Sequence, residues 1–180
     1  MTDKYPKKPP EYGYYPIPQA LWQEDLTDAI FDNRDYNDKW LIEHGMQRRY
    51  YKDQVLQVYS NWTLHFQVAY GSEEANDGDY GNLEEKVLLS FDVESGARGI
   101  KTKDMNDLRN AVSQALLVSG CSDTLGSAAS FQKHKHHIVW EAIDYDPQNA
   151  ESIQAIAHRL FEYMDAIYPI AEPVLREMNG

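Results

Sequence analysis

The sequence predicts an α+β fold: a mixed or mainly antiparallel four-stranded sheet with helices packed on one face. Three observations carry this. Three segments alternate apolar and polar residues with a period of two, the signature of half-buried strands, and a short apolar run precedes the first of them. Other segments repeat their apolar residues at helical spacing. No regular strand–helix–strand alternation runs along the chain, which argues against a wholly parallel sheet. The expected order is α-α-β-β-β-α-β-α within a single domain over residues 19–180, preceded by an extended arm over residues 1–18.

The arm follows from proline density. Pro6, Pro9, Pro10, Pro16 and Pro18 each fix φ and lack a backbone N–H, so neither helix nor sheet can propagate through them. Tyr12, Tyr14 and Tyr15 lie among them. Tyrosine offers a large contact area at low entropic cost, so these three are candidate partner contacts.

From Gln19, the spacing of Leu21, Trp22, Leu26, Ala29 and Ile30 predicts a helix. Asp35 is placed to cap a second, carrying Trp40, Leu41 and Met46. Val55 to Tyr59 reads as a strand and Ser60-Asn61 as a tight turn. Trp62, Leu64, Phe66, Val68 and Tyr70 then mark one face of the clearest strand. A polar, glycine-rich loop covers residues 71–83, after which Val87, Leu89, Phe91 and Val93 share a strand face opposite Leu88, Ser90, Asp92 and Glu94.

Thr102 can cap the next helix, whose stripe is Met105, Leu108, Val112, Ala115 and Leu116, and Gly120 suits the left-handed position that ends it. Residues 121–130 read as a loop and residues 132–144 as one long strand. On that strand His134, His136, Ile138, Trp140 and Ala142 share one face, and Lys135, His137, Val139, Glu141 and Ile143 the other. Asp146 and Pro147 signal the start of the last helix, which Pro169 is expected to kink or end.

The chain has 180 residues, enough to bury a sizeable core without metal or disulfide. Its one cysteine, Cys121, cannot form an internal disulfide, which points to a reducing compartment. With no apolar signal-peptide core and no apolar run of membrane-spanning length, the expectation is a cytoplasmic protein without membrane association. The formal net charge of −12 repels nucleic-acid backbones and suits a basic protein partner. Glu73, Glu74, Asp77 and Asp79 concentrate part of that charge in the glycine-rich loop and are candidate partner contacts. They do not follow the spacing of a calcium-binding loop.

No nucleophile elbow, phosphate-binding glycine loop or dinucleotide fingerprint is present, so no catalytic residue and no cofactor is assigned. Glu84-Glu85-Lys86 matches a three-residue magnesium-nuclease pattern, but the chain lacks the basic face that phosphates require. The densest chemistry is Lys133-His134-Lys135-His136-His137. Alternate histidines on a strand project imidazoles on one side, so His134 and His136 are candidate metal ligands. His65, Asp92 and Glu94 are available from neighbouring strands to complete a set, with His65 the preferred third ligand.

From Val87 to Met178 the pattern carried by Leu89-Ser90-Phe91-Asp92, Ile138-Val139-Trp140-Glu141 and Ile167-Tyr168-Pro169 resembles two groups. One is the small acidic chaperones of type III secretion. The other is an uncharacterised domain attached to nuclease-like proteins of bacterial defence systems. The resemblance implies partner binding and carries over no catalytic residue. The leading expectation is therefore a non-enzymatic interaction module: an inhibitor, immunity protein, chaperone or complex subunit, with a homodimer allowed through the sheet edge or last helix. The alternative is a metal-dependent enzyme centred on the histidine strand.

Overall fold

The computed structural model describes residues 21–31, 47–51, 55–59, 63–70, 85–94 and 102–179. The tyrosine arm, the proposed second helix around Trp40 and the acidic loop bearing Glu73, Glu74, Asp77 and Asp79 lie outside the described residues. The fold is α+β, as expected, and its sheet is antiparallel throughout. The elements in order are α1 (Leu21–Phe31), β1 (Gln47–Tyr51), β2 (Val55–Tyr59), β3 (Leu64–Tyr70), β4 (Lys86–Val93), α2 (Thr102–Val118), α3 (Cys121–Leu125), β5 (His137–Asp144) and α4 (Ala150–Asn179). The four expected strands all form, and a fifth, β1, joins at the edge. The sheet is a meander, β1-β2-β3-β4-β5, in which every neighbour in space is a neighbour in sequence.

Pairing places Phe66 opposite Phe91, His65 opposite Asp92 and Gln67 opposite Ser90. Tyr59 stands opposite His65, so the β2–β3 connection is longer than the expected two-residue turn. Because side chains alternate, Leu56, Val58, Leu64, Phe66, Val68, Val87, Leu89, Phe91 and Val93 enter one core. Onto it pack Leu26 and Ile30 of α1, the α2 stripe Met105, Leu108, Val112 and Leu116, and Ile156, Leu160, Met164, Ile167 and Ala171 of α4. The i, i+3, i+4 spacing of each set is what lets a helix lay one side on the sheet. Val55, Ala69 and Leu88, with Trp140 and Ala142, form a smaller cluster on the reverse face.

Gly120 adopts φ 77°, the left-handed conformation expected where α2 ends. Its carbonyl accepts the amides of Asp123 and Thr124, so the expected loop begins instead with the short helix α3, which buries Cys121 and Leu125. Arg159 of α4 pins this corner. It donates to Glu141 through Nε and Nη2, at 3.0 and 2.7 Å, and to the Leu125 carbonyl at 2.7 Å.

The last helix starts three residues later than its signal. Asn149 Oδ1 caps it by accepting the Glu151 amide at 3.0 Å. Asp146 instead closes the preceding turn, accepting the Gln148 amide on Oδ1 at 2.9 Å. Pro169 and Pro173 do not end the helix, which runs 30 residues. Both prolines are exposed and lie four residues apart, on the side of the helix away from the core.

Candidate functional site

The expected strand over residues 132–144 folds back on itself. His134 and His137 exchange both backbone hydrogen bonds, at 3.0 and 2.9 Å, around a two-residue turn made by Lys135 and His136. Lys135 takes φ 52°, a left-handed conformation unusual for a side chain with a Cβ. Ser130 then pairs with Trp140, completing a small hairpin on the free edge of β5. His134 and His136 therefore do not share a strand face, and His134 contributes no donor to the group described next.

A register shift beside this turn decides where His137 goes. Val139 is opposite Phe91 and His137 opposite Asp92, leaving Ile138 as an extra residue. Ile138 and Val139 both enter the helix-covered core. Strict alternation would have placed His137 on Val139's side. The bulge re-aims it to the reverse face, beside Asp92.

The end of that face beside the turn is polar and closed. Gln57, His65, Gln67, Ser90, Asp92 and His137 are all buried, Asp92 and Ser90 with no exposed surface. Asp92 is the hub. Its Oδ1 lies 2.5 Å from His137 Nδ1, and its Oδ2 lies 3.2 Å from His65 Nε2 and 3.9 Å from His136 Nε2. Glu94, two residues along β4, places Oε1 at 2.8 Å from His136 Nε2. The Val93 amide bonds the His136 carbonyl and the Glu94 amide the Thr63 carbonyl, each at 2.9 Å, so backbone holds the turn against the strand ends. Behind His65, Gln57 Nε2 donates to Gln67 Oε1 at 2.9 Å.

The electrostatics keep both carboxylates charged. Burial pushes the Asp92 carboxyl up, but the imidazoles of His137 and His65, by charge and hydrogen bonding, outweigh it and hold the group far below the usual carboxylate range. Glu94 behaves similarly: burial raises it, and the hydrogen bond from His136 brings it below its ordinary value. The described residues thus contain two overlapping ligand groups, His65–Asp92–Glu94 and Asp92–His136–His137. Within each, the donor atoms lie within 4.8 Å of one another.

Of the expected ligands, the structure unites His65 and His136 and leaves His134 out. Asp92 and Glu94, the alternative third ligands, are both at the centre. His137 is the residue that sequence alternation misplaced. The adjacent apolar pair Ile138-Val139, which breaks the period of two, is the signal that could have located the bulge. Lys86 of the nuclease-like triplet is engaged elsewhere, in an ion pair with Asp144 at 3.0 Å.

A cavity of about 560 Å³ opens at the other end of the sheet, lined by Tyr70, Glu85, Asp144, Tyr145, Asn149 and Ser152. It is separated from Asp92 by roughly 20 Å of strand and holds none of the histidines. Among the described residues no helix is long and apolar enough to cross a membrane. Comparison with protein-family models, with curated proteins and with solved structures finds no match for the chain.

Proposed function

We propose that the protein binds one divalent transition-metal ion through His65, Asp92 and His136, with Glu94 beside it, and that this ion is the working centre of a metal-dependent enzyme. The observation that supports the reading is the approach of two imidazole nitrogens, His65 Nε2 and His136 Nε2, to one buried carboxylate oxygen, Asp92 Oδ2. Their separations from it, 3.2 and 3.9 Å, bracket the edge of a tetrahedron of metal–ligand bonds. For bonds of about 2.0 Å that edge is about 3.3 Å. Two imidazoles and a carboxylate suit zinc, cobalt, iron or manganese better than calcium or magnesium, which favour oxygen alone.

Two features favour a working ion over a purely structural one. The apolar core runs from Leu26 to Leu175 without needing a metal to join its parts. The donor set also contains no thiolate, whereas structural zinc sites are dominated by cysteine. Access is one-sided: His136 and Glu94 side chains are 22% and 34% exposed, while His65 and Asp92 are 3% and 0%. With His65, Asp92 and His136 holding the ion, the Glu94 carboxylate beside His136 would be the group to take a proton from a water activated there.

Metal titration of the full chain, stripped with a chelator and then given zinc, cobalt or manganese, tests the reading. One ion per chain in the wild type, and none in an Asp92→Ala variant that remains folded by circular dichroism, is the expected result. A folded wild-type chain that takes up no ion at micromolar concentrations would reject it.

A second reading, a partner-binding module, draws support from the formal net charge of −12 and from Leu117 and Val118. Those two side chains are 51% and 77% exposed at the end of α2. Co-purification of one stoichiometric basic partner, lost in a Leu117→Ser/Val118→Ser variant, would favour it. Unchanged recovery in that variant would remove the patch from consideration.

A further inference from the structure

We infer that His137 is a positioning residue for the metal centre and not one of its ligands: its Nδ1–H holds Asp92 Oδ1 so that Oδ2 is presented to the ion. The inference rests on the metal reading above and assigns the division of labour within it.

Distance makes the assignment. Two donors bound to one ion at about 2.0 Å stand about 3.3 Å apart in a tetrahedral site and about 2.9 Å apart at an octahedral right angle. His65 Nε2 and Asp92 Oδ2, 3.2 Å apart, fit that requirement. His137 Nδ1 and Asp92 Oδ1 are 2.5 Å apart, too close to be separate ligands of one ion and the right distance for a short, charge-assisted hydrogen bond. An ionised carboxylate has no proton to give, so the proton in this contact sits on Nδ1. The two oxygens of Asp92 therefore have different tasks, Oδ1 fixed by His137 and Oδ2 turned toward His65 and His136.

Burial agrees with the same division. His137 and Asp92 side chains are 2% and 0% exposed, so the pair is set within the protein and neither group swings. The bulge at Ile138 exists at the one place that brings His137 across from Asp92, so the backbone irregularity and the contact explain each other. Carboxylate and imidazole exchange the roles they have in the common zinc arrangement, in which an outer carboxylate orients a ligating histidine.

Imidazole nitrogen spectra of the zinc-loaded wild-type chain, with ¹⁵N-labelled histidine, read the assignment directly. The expected result is metal-bound Nε2 for His65 and His136 and a protonated Nδ1 for His137. A metal-bound nitrogen on His137 would overturn the positioning role while leaving the metal reading standing. No zinc uptake at all would overturn both.

Two variants add an independent measure. His137→Asn retains an N–H donor near the Nδ1 position, whereas His137→Ala does not. Zinc affinity is expected to fall by about 10–100-fold in His137→Ala, the usual loss for an outer partner. It is expected to recover by at least about tenfold in His137→Asn, with the cobalt absorption bands of the wild type unchanged in both. Equal loss in both variants with shifted cobalt bands would overturn the inference.

Discussion

The two faces of the sheet come from the same strands and are buried alike, yet they are chemically opposed. On β3 and β4 the helix-covered face carries Leu64, Phe66, Val68, Val87, Leu89, Phe91 and Val93. The reverse face carries His65, Gln67, Ser90 and Asp92 toward the turn, with Ala69 and Leu88 at the other end. Burying the first set is favourable without condition, at roughly 1.5–3 kcal/mol for each large side chain. Burying the second is costly unless every polar group is matched, and a paired buried charge often does no better than an apolar residue of the same size. The contrast separates two jobs within one sheet: one face supplies the stability that lets the other hold an unfavourable cluster of charge.

Four experiments break or sharpen this contrast. The largest stability effect belongs to the apolar face. Phe91→Ala, which removes a fully buried ring tilted against that of Phe66 with centroids 5.2 Å apart, is expected to cost about 3–5 kcal/mol by urea denaturation. One residue away, Asp92→Asn is expected to cost the metal-free fold less, about 1–3 kcal/mol, because the amide fills the same volume and its oxygen still accepts from His137. It should nevertheless end stoichiometric ion uptake. Equal stability losses at the two positions, with uptake intact, would make Asp92 a structural residue.

The third concerns alkaline pH and bears mainly on the helix side. Burial pushes the Cys121 thiol up to about 11. Burial, and then neighbouring anions, raise the Tyr145 and Tyr163 hydroxyls above their ordinary range as well. In the unfolded chain these groups ionise near about 8.5 and about 10. The stability they contribute is complete below about pH 8.5 and declines as pH rises, because the unfolded chain then loses protons that the folded chain keeps. The slope approaches about 1.4 kcal/mol per pH unit for each group in its window. Urea midpoints measured from pH 7.5 to 10.5 should be flat at first and then fall. In Cys121→Ala, chosen to remove the first ionisation, the fall should begin later; an unchanged onset would assign it to other groups.

The smallest effect is local to the turn. Lys135→Gly removes the Cβ from a left-handed position and is expected to stabilise the protein by up to about 1 kcal/mol, the relief being partly offset by the greater freedom of the unfolded chain. A loss of stability in thermal melts would mean that the lysine side chain contributes more than its backbone conformation costs.

Much of this architecture was legible because it rests on period and punctuation. The stripes of α1, α2 and α4 follow from helical spacing, and the two faces of β3 and β4 from alternation. Gly120 marked a helix end because a left-handed residue there favours glycine. His65, Asp92 and Glu94 could be named as neighbours of the histidine run for the same reason, since alternation put Asp92 and Glu94 on one face of their strand.

The rest depended on contacts between distant segments. Nothing local in Gln47–Tyr51, which holds two adjacent arginines, announces a strand; it forms by pairing with β2. Lys135 and His136 lack the glycine or asparagine that ordinarily marks a hairpin turn, so the fold-back read as continuous strand. The bulge at Ile138 transferred His137 between faces, and a shift of one residue in a period-two pattern inverts every assignment on one side of it. Pro169 reads as a breaker because sequence alone does not show that it would sit on an exposed side of the helix.

The meander also implies an order of events. Hairpins between successive strands close short loops and form early, whereas contacts across long separations wait on a larger entropic loss. His65 and Asp92 meet when β3 pairs with β4, but His137 is 45 residues from Asp92 in sequence and arrives only when β5 docks. The intervening helix α2 must pack first or at the same time. The centre is therefore expected to be among the last parts of the chain to assemble, so that a nascent or partly folded molecule would hold an incomplete ligand set and an ion would be captured only by the finished fold.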